Sequence, residues 1–371
     1  MHWIVKAAVA LGLILAAAPI GLVARAYWEG HRSVELPRPD GRFAVGRRLY
    51  QWAGTPTARG ATAFIWYPAA ASDRRASTAP YLPVAWTRAV GVMGPNLKLQ
   101  DWTRVWDHSV EDAPPAARAG GFPVVVLTPG YTALPTDYTA LAEDLASHGY
   151  VVAGLAPECC ARVIVEADGR VVTPTQGRSL SDGDMATVTR LAEHEAGEIE
   201  AVLGRLAALN LAVGGPLAGR LDLSRVAMIG HSLGGTASLE ACGTDPRCRA
   251  VVDLDGEPAG RARREGLNRP VLFLRREPRP APWFYLALEG LSRRDHERVD
   301  ARQDRDERFI VSRSPLGRRV VLKGGGHGDF ADVAVLSPTV GRLVGLLGPI
   351  NGRVGVRVTQ AEVLAFLAET V

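Results

Sequence analysis

Arg225-Val-Ala-Met-Ile-Gly-His-Ser-Leu-Gly-Gly235 is the stretch on which the fold turns. Val226 to Ile229 is an apolar run of strand length, and an Ala- and Leu-rich stretch of helical character follows Gly235. Between them lies Gly230-His231-Ser232-Leu233-Gly234, a G-x-S-x-G sequence. Glycine and serine are common, so the five residues alone describe an ordinary turn. With a strand leading in and a helix leading out, they describe a sharp strand-to-helix turn that exposes Ser232. Gly230 and Gly234 remove side chains that would collide there. The N-terminus of the following helix offers backbone donors and a positive dipole end.

Working outward, strand-like and helix-like stretches alternate. Phe122–Thr128 and Tyr150–Leu155 read as strands buried on both faces, and Ala250–Leu254, Pro270–Leu274 and Arg319–Leu322 as further short strands. An amphipathic helix carries Ile199, Val202, Leu203 and Leu206 on one face. Thr136 is expected to cap a helix running through Ser147, and Thr359 with Glu362 to form a capping box before the last helix. Phe43–Trp52 and Ala61–Tyr67 are early strand candidates, while residues 68–121 read as an insertion. Alternation of this kind implies an α/β architecture: a mostly parallel sheet with helices on both faces.

A serine hydroxyl needs a base to act as a nucleophile. His296 and His327 are the histidines far enough beyond Ser232 to follow the chain order Ser, acid, His. His296 sits in the charge-dense run Ser292–Arg298 and is expected to be solvated. His327 follows a strand and the triplet Gly324-Gly325-Gly326, where such sheets place their chemistry. His327 is therefore the expected base. For the acid, Asp255 ends the strand after the Ser232 helix and precedes Gly256, whereas Asp253, two residues back, is expected to be structural. The backbone amides of Leu233 and Tyr131 are the expected oxyanion donors, with Gly130 permitting a tight turn; such a donor contributes about 3 kcal/mol.

These residues carry a resemblance. Phe64-Ile-Trp-Tyr-Pro68, Phe122-Pro-Val-Val-Val-Leu-Thr-Pro-Gly130, Gly230-His-Ser-Leu-Gly-Gly235, Leu254-Asp255 and His327-Gly-Asp-Phe-Ala-Asp332 resemble the platelet-activating factor acetylhydrolase-type α/β-hydrolases, within the lipase and carboxylesterase group. The resemblance covers about residues 43–340. It implies an α/β-hydrolase fold with insertions around the active site, and catalytic roles for Asp255 and His327. It also implies hydrolysis of short or oxidised acyl esters of phospholipids through an acyl-enzyme, with no metal or other cofactor. Similar bacterial sequences also look like polyester hydrolases and general carboxylesterases. A non-catalytic hydrolase-fold binding protein at the cell envelope is the alternative from another class.

The ends and the charge complete the reading. Ala7 to Val23 carries no charge, Lys6 precedes it, and Ala24-Arg25-Ala26 fits a cleavage pattern. Residues 1–26 are expected to be a signal peptide or an N-terminal membrane anchor, residues 27–42 an irregular leader, and residues 43–371 one catalytic domain. The expectation is an exported protein, secreted, periplasmic or anchored. Cys242 and Cys248 flank a short polar loop that a disulfide could close; Cys159 and Cys160 are adjacent, and a bond between them is expected to strain the backbone. Neither pair has ligand spacing for a metal.

The 371 residues carry a net charge of +4, with 47% hydrophobic and 22% charged residues, which excludes a wholly disordered chain. Residues 261–320 hold 16 arginines against 9 carboxylates, while the remainder has 27 basic against 30 acidic residues. The run Arg293–Arg308 reads as a solvated helix face, with an anionic lipid surface as the minority alternative. No nucleic-acid module or dinucleotide motif is evident. Trp102, Trp106 and Trp283 are candidate pocket residues, although such aromatics are more often simply core.

Overall fold

The computed structural model describes residues 20–53, 60–70, 78–92, 100–173, 185–288 and 290–371. Nine strands form one sheet: β1 Ala44–Trp52, β2 Ala61–Ala69, β3 Val110–Glu111, β4 Phe122–Thr128, β5 Val151–Leu155, β6 Leu221–His231, β7 Cys248–Leu254, β8 Val271–Arg276 and β9 Gly317–Leu322. Their order is β9-β8-β7-β6-β4-β5-β2-β1-β3. The six strands from β9 to β5 are mutually parallel; β2 runs antiparallel to both β5 and β1.

Strict alternation along the central strands divides the core in two. Val125, Leu127, Ala227 and Ile229 face one side, with Leu141, Leu145, Val363 and Phe366. Val124, Val126, Val226 and Met228 face the other, with Ile199, Val202, Leu203 and Leu206. All of these are buried, so both faces of the sheet are covered, as a parallel sheet requires. The helices on the first side include α3 Thr139–Ser147 and α11 Gly352–Thr370; on the second lie α4 Met185–Leu211 and α5 Leu233–Thr244.

From β4 the chain moves to β5 on one side, and from β6 to β7 on the other, so the connections diverge between the adjacent strands β4 and β6. Loops leaving the C-terminal ends of these two strands bound the crevice where an open α/β sheet binds ligands.

Several local expectations are corrected. Thr136 does not cap α3: it lies in a 3-10 turn, Pro135–Tyr138, and α3 starts at Thr139. Thr359 sits mid-helix and its hydroxyl donates to the Gly355 carbonyl; Asn351 caps α11 instead, its side chain accepting from the Arg353 and Val354 amides. The expected irregular leader is partly regular. Residues 20–31 are helical, and Val34–Glu35 pairs in parallel with Val105–Trp106. Residues 1–19, most of the expected export segment, lie outside the described residues. Cys242–Cys248 is a disulfide, and Cys159 and Cys160 are also bonded to each other, which is one of the three pairings that four cysteines allow and that the sequence leaves open. Among the described residues, no helix is long and apolar enough to cross a membrane.

Candidate functional site

Ser232 stands between β6 and α5 with φ 56° and ψ −124°, a left-handed φ that non-glycine residues rarely adopt. The turn is this sharp because the backbone closes tightly around it. A Cβ on Gly234 would collide with the Thr128 and Pro129 carbonyl oxygens, and one on Gly230 with the Gly234 carbonyl. The Ser232 amide donates to the Leu254 carbonyl at 3.0 Å, which fixes the turn to the end of β7.

Three side chains from separate segments meet there. His327 opens a 3-10 turn, His327–Phe330, beyond β9. Its Nε2 lies 3.0 Å from Ser232 Oγ, and its Nδ1 lies 2.7 Å from Asp255 Oδ2. The His327 loop is held by Asp329, whose Oδ2 accepts from the Gly326 and Gly348 amides, each at 2.6 Å. Asp255 also has a left-handed φ, 57°. Burial pushes its carboxyl up, but the His327 hydrogen bond, the Arg276 guanidinium and the Arg276 amide outweigh burial and hold it below the ordinary carboxylate range. The chain Ser232–His327–Asp255 can therefore pass a proton from a hydroxyl to an imidazole whose cation faces a carboxylate.

Asp253 is wholly buried and outside this chain. Its Oδ1 accepts from the Gly256 amide at 2.6 Å, and its carboxyl is pushed well up by burial.

A second network, not anticipated from sequence, fastens the surrounding loops. His231 Nε2 is 2.8 Å from the His327 carbonyl, which can only accept, so this nitrogen carries the proton. Nδ1 then accepts from the Tyr138 hydroxyl at 2.7 Å, and that hydroxyl accepts from the Gly130 amide at 3.1 Å. The middle residue of the Gly-His-Ser triplet thus ties the Tyr131 loop to the His327 loop. Burial, with a smaller contribution from His327, lowers the His231 pKa from 6.5 to about 3. The unfolded chain therefore binds a proton here over that interval and the folded chain does not, so this residue lowers stability as pH falls. His231→Gln is expected to flatten the decline of Tm between pH 6.5 and pH 4, measured by calorimetry. An unchanged pH slope in the variant would reject the assignment.

Ser232 and His327 line a mainly apolar cavity of about 260 Å³ together with Trp102, Tyr131, Tyr138 and Leu336. They also line a crevice of about 510 Å³ bounded by Asp255, Arg276, His296 and Gln303. Tyr131 is common to both, and Leu233 lines the crevice. Of the three tryptophans, only Trp102 reaches the cavity. Trp106 (53% exposed) and Trp283 (77% exposed) line neither space, which corrects both expectations.

His296 is also corrected. It is buried rather than solvated, because α8, Arg293–Arg313, lays one face against the site. Two groups of possible metal ligands occur among the described residues, Cys159, Cys160 and Glu195, and Asp40, Asp144 and His148. The sulfurs of the first are bonded to each other, and neither group includes a residue lining the two spaces at Ser232.

The family described as platelet-activating factor acetylhydrolase, isoform II, matches residues 29–158 and 206–371. The chain belongs to that family. Platelet-activating factor acetylhydrolase of Canis lupus familiaris is 24% identical over 274 residues, and that of Cavia porcellus 25% identical over 272. These alignments cover 66% of this chain and 56% and 57% of those relatives, so the chain spans little more than half of their length. Bis(hydroxyethyl) terephthalate hydrolase of Streptomyces coelicolor is 29% identical over 143 residues, 38% of this chain and 35% of that protein. Among solved structures, a ferulic acid esterase from Streptomyces cinnamoneus superposes with a TM-score of 0.71 at 26% identity, covering 91% of this chain and 93% of the other. An α/β-hydrolase fold, expected from the residues of the acetylhydrolase family, is thus shared along nearly the whole chain.

Proposed function

We propose that this protein is a serine ester hydrolase working through an acyl-enzyme. The observation that carries the reading is the continuous contact from Ser232 Oγ through His327 to Asp255, at 3.0 and 2.7 Å. In this reading Ser232 attacks the ester carbonyl while His327 Nε2 takes its proton. The Tyr131 and Leu233 amides receive the oxyanion, and His327 returns the proton to the departing alcohol. Water, deprotonated by His327, then releases the acid and restores Ser232. Asp255 stays ionised throughout and holds Nδ1–H.

The cavity of about 260 Å³ favours a short acyl group or a single ring over a long fatty chain. The family relatives' name supplies an acetyl group, and the two Streptomyces proteins are named for aromatic acids. Short or oxidised acyl esters are therefore the first reading, and a general carboxylesterase or polyester hydrolase the second. A fluorophosphonate probe tests the mechanism against a non-catalytic binding protein. It is expected to label Ser232 in the folded chain, and an unlabelled, folded protein sinks the catalytic reading.

The same reading places the protein outside the cytoplasm, supported by two disulfides and the uncharged run Ala7 to Val23. Its lipid-facing element is then the helix at residues 20–31, which exposes Ile20, Val23, Tyr27 and Trp28. Glu29 fastens this helix to the cavity side of the fold, accepting from the Thr339 amide at 2.9 Å and hydroxyl at 2.6 Å. Helix α8 is the weaker candidate, because its Arg298 and Arg308 bond the helix's own Asp295 and Asp304. Replacing Ile20, Val23 and Trp28 by serine should reduce sedimentation with phosphatidylcholine vesicles at least about threefold. Undiminished sedimentation rules this helix out as the contact.

A further inference from the structure

Trp102 borders two separate spaces. One is the cavity of about 260 Å³ lined by Ser232 and His327; the other is about 430 Å³ and is lined by neither. Among the described residues, Trp102 is the one member common to both linings. The outer space is mainly apolar: Tyr81, Leu82, Val84 and Val105 line it, with Thr87 and Arg88 among its polar members. Val84 is exposed, which brings this space to the surface of the molecule.

The indole between them is held from several sides. Trp102 opens a three-residue 3-10 turn, Trp102–Arg104, capped by Asp101. Asp101 Oδ1 accepts from the Thr103 amide at 3.1 Å and the Thr103 hydroxyl at 2.6 Å, and the Asp101 amide donates to the Gly30 carbonyl at 2.8 Å. The Ser337 hydroxyl donates to Gln100 Oε1 at 3.3 Å, which ties the turn to the Leu336 and Ser337 wall of the inner cavity. The indole stacks on Tyr81, with ring centroids 5.8 Å apart and planes 7° from parallel. Tyr81 is buried, and its hydroxyl donates to Asp332 Oδ2 at 3.2 Å. The stack is thereby fastened to the same short segment, His327 to Asp332, that carries the base.

We infer that Trp102 determines acyl-chain length: its indole closes the inner cavity, and a shorter side chain in its place joins the two spaces into one apolar channel for medium-length acyl groups. The inference rests on the esterase reading above, with the acyl half in the apolar cavity, and adds the residue that limits that half. Each methylene moved from water to apolar surroundings is worth about fourfold in kcat/KM where there is room for it. At the indole the room ends. A longer chain must leave its tail in water or push the Tyr81 stack aside, and either course forfeits that gain.

The test varies acyl length at a constant leaving group. The full chain is assayed on p-nitrophenyl acetate, butyrate and octanoate. The unmodified chain is expected to turn over octanoate with at most about a tenth of its kcat/KM on butyrate. In Trp102→Ala the octanoate-to-butyrate ratio is expected to rise at least about tenfold, part of the roughly two-hundredfold that four newly buried methylenes would give. Lost stability alone would lower both esters together and leave the ratio unmoved. Trp102→Leu, which keeps apolar contact with Tyr81, is expected to raise the ratio at least about threefold, and it decides the matter if the alanine variant melts well below the parent. Octanoate turned over as well as butyrate by the unmodified chain overturns the partition whether or not the variants fold, and so does an unmoved ratio in a folded variant. If none of the three esters is hydrolysed, the esterase reading itself falls; hydrolysis with an unmoved ratio removes only the partition.

Discussion

Ser232→Ala should lower kcat on p-nitrophenyl acetate by four to six orders of magnitude, to about the level left by the oxyanion donors and binding alone. The size of the loss follows from the site. Among the described residues, Ser232 is the side-chain nucleophile at 3.0 Å from His327 Nε2, and alanine keeps a small side chain at a position whose φ is already left-handed. The variant should fold, because Ser232's fixed contact with the end of β7 runs through its amide. A variant that melts like the parent yet retains a tenth of its activity would exclude the covalent mechanism.

Asp255→Asn should cost about three to four orders of magnitude in kcat, while Asp253→Asn should cost less than about tenfold. The contrast comes from protonation. The Asp255 carboxyl is held below the ordinary carboxylate range, whereas an amide in its place offers His327 Nδ1 no charge and carries a donor that can face Nδ1–H where an acceptor is required. Burial pushes the Asp253 carboxyl well up, and asparagine keeps its shape and can still accept from the Gly256 amide. Activity lost only in Asp253→Asn would reverse the assignment. The stability effects also separate by pH. The depressed Asp255 carboxyl contributes stability that is present above its ordinary value of 3.8 and lost as pH falls through its lower folded value. The contribution of His231 changes over the interval from 6.5 to about 3.

The residues legible in the sequence were those whose signal is local. The Ser232 turn announces itself because strand, glycines and helix are contiguous. His327 and Asp255 could be found because each follows the C-terminal end of a strand, at the edge of the sheet where such folds place their crevice. What escaped depends on partners distant in the chain. His231 reads as filler inside the motif until Tyr138 and the His327 carbonyl are brought to its two nitrogens. His296 looks solvated among charges because nothing in its own helix reveals that its face lines the crevice shared with Asp255. Thr136 and Thr359 have the chemistry of caps, but the chain had already turned helical upstream of Thr359 and stayed in a tighter turn at Thr136. Trp106 and Trp283 failed as pocket residues because side-chain type carries no information about direction.

The pairing of arginines also bears on how substrate arrives. Arg275 is buried among Asp300, Asp304 and Glu307, Arg319 bonds Asp304 and Glu307, and Arg276 joins Asp255 and Asp300. These arginines of the densest positive stretch are thus folded into dipoles beside the site, while the stretch as a whole, with 16 arginines against 9 carboxylates, keeps a net positive charge. That net charge acts on charged solutes and is screened beyond a Debye length, whereas an uncharged ester meets the paired arginines at the site by unassisted diffusion, at a rate indifferent to ionic strength. A molecule organised in this way can work in brackish or fresh surroundings with the same capture rate.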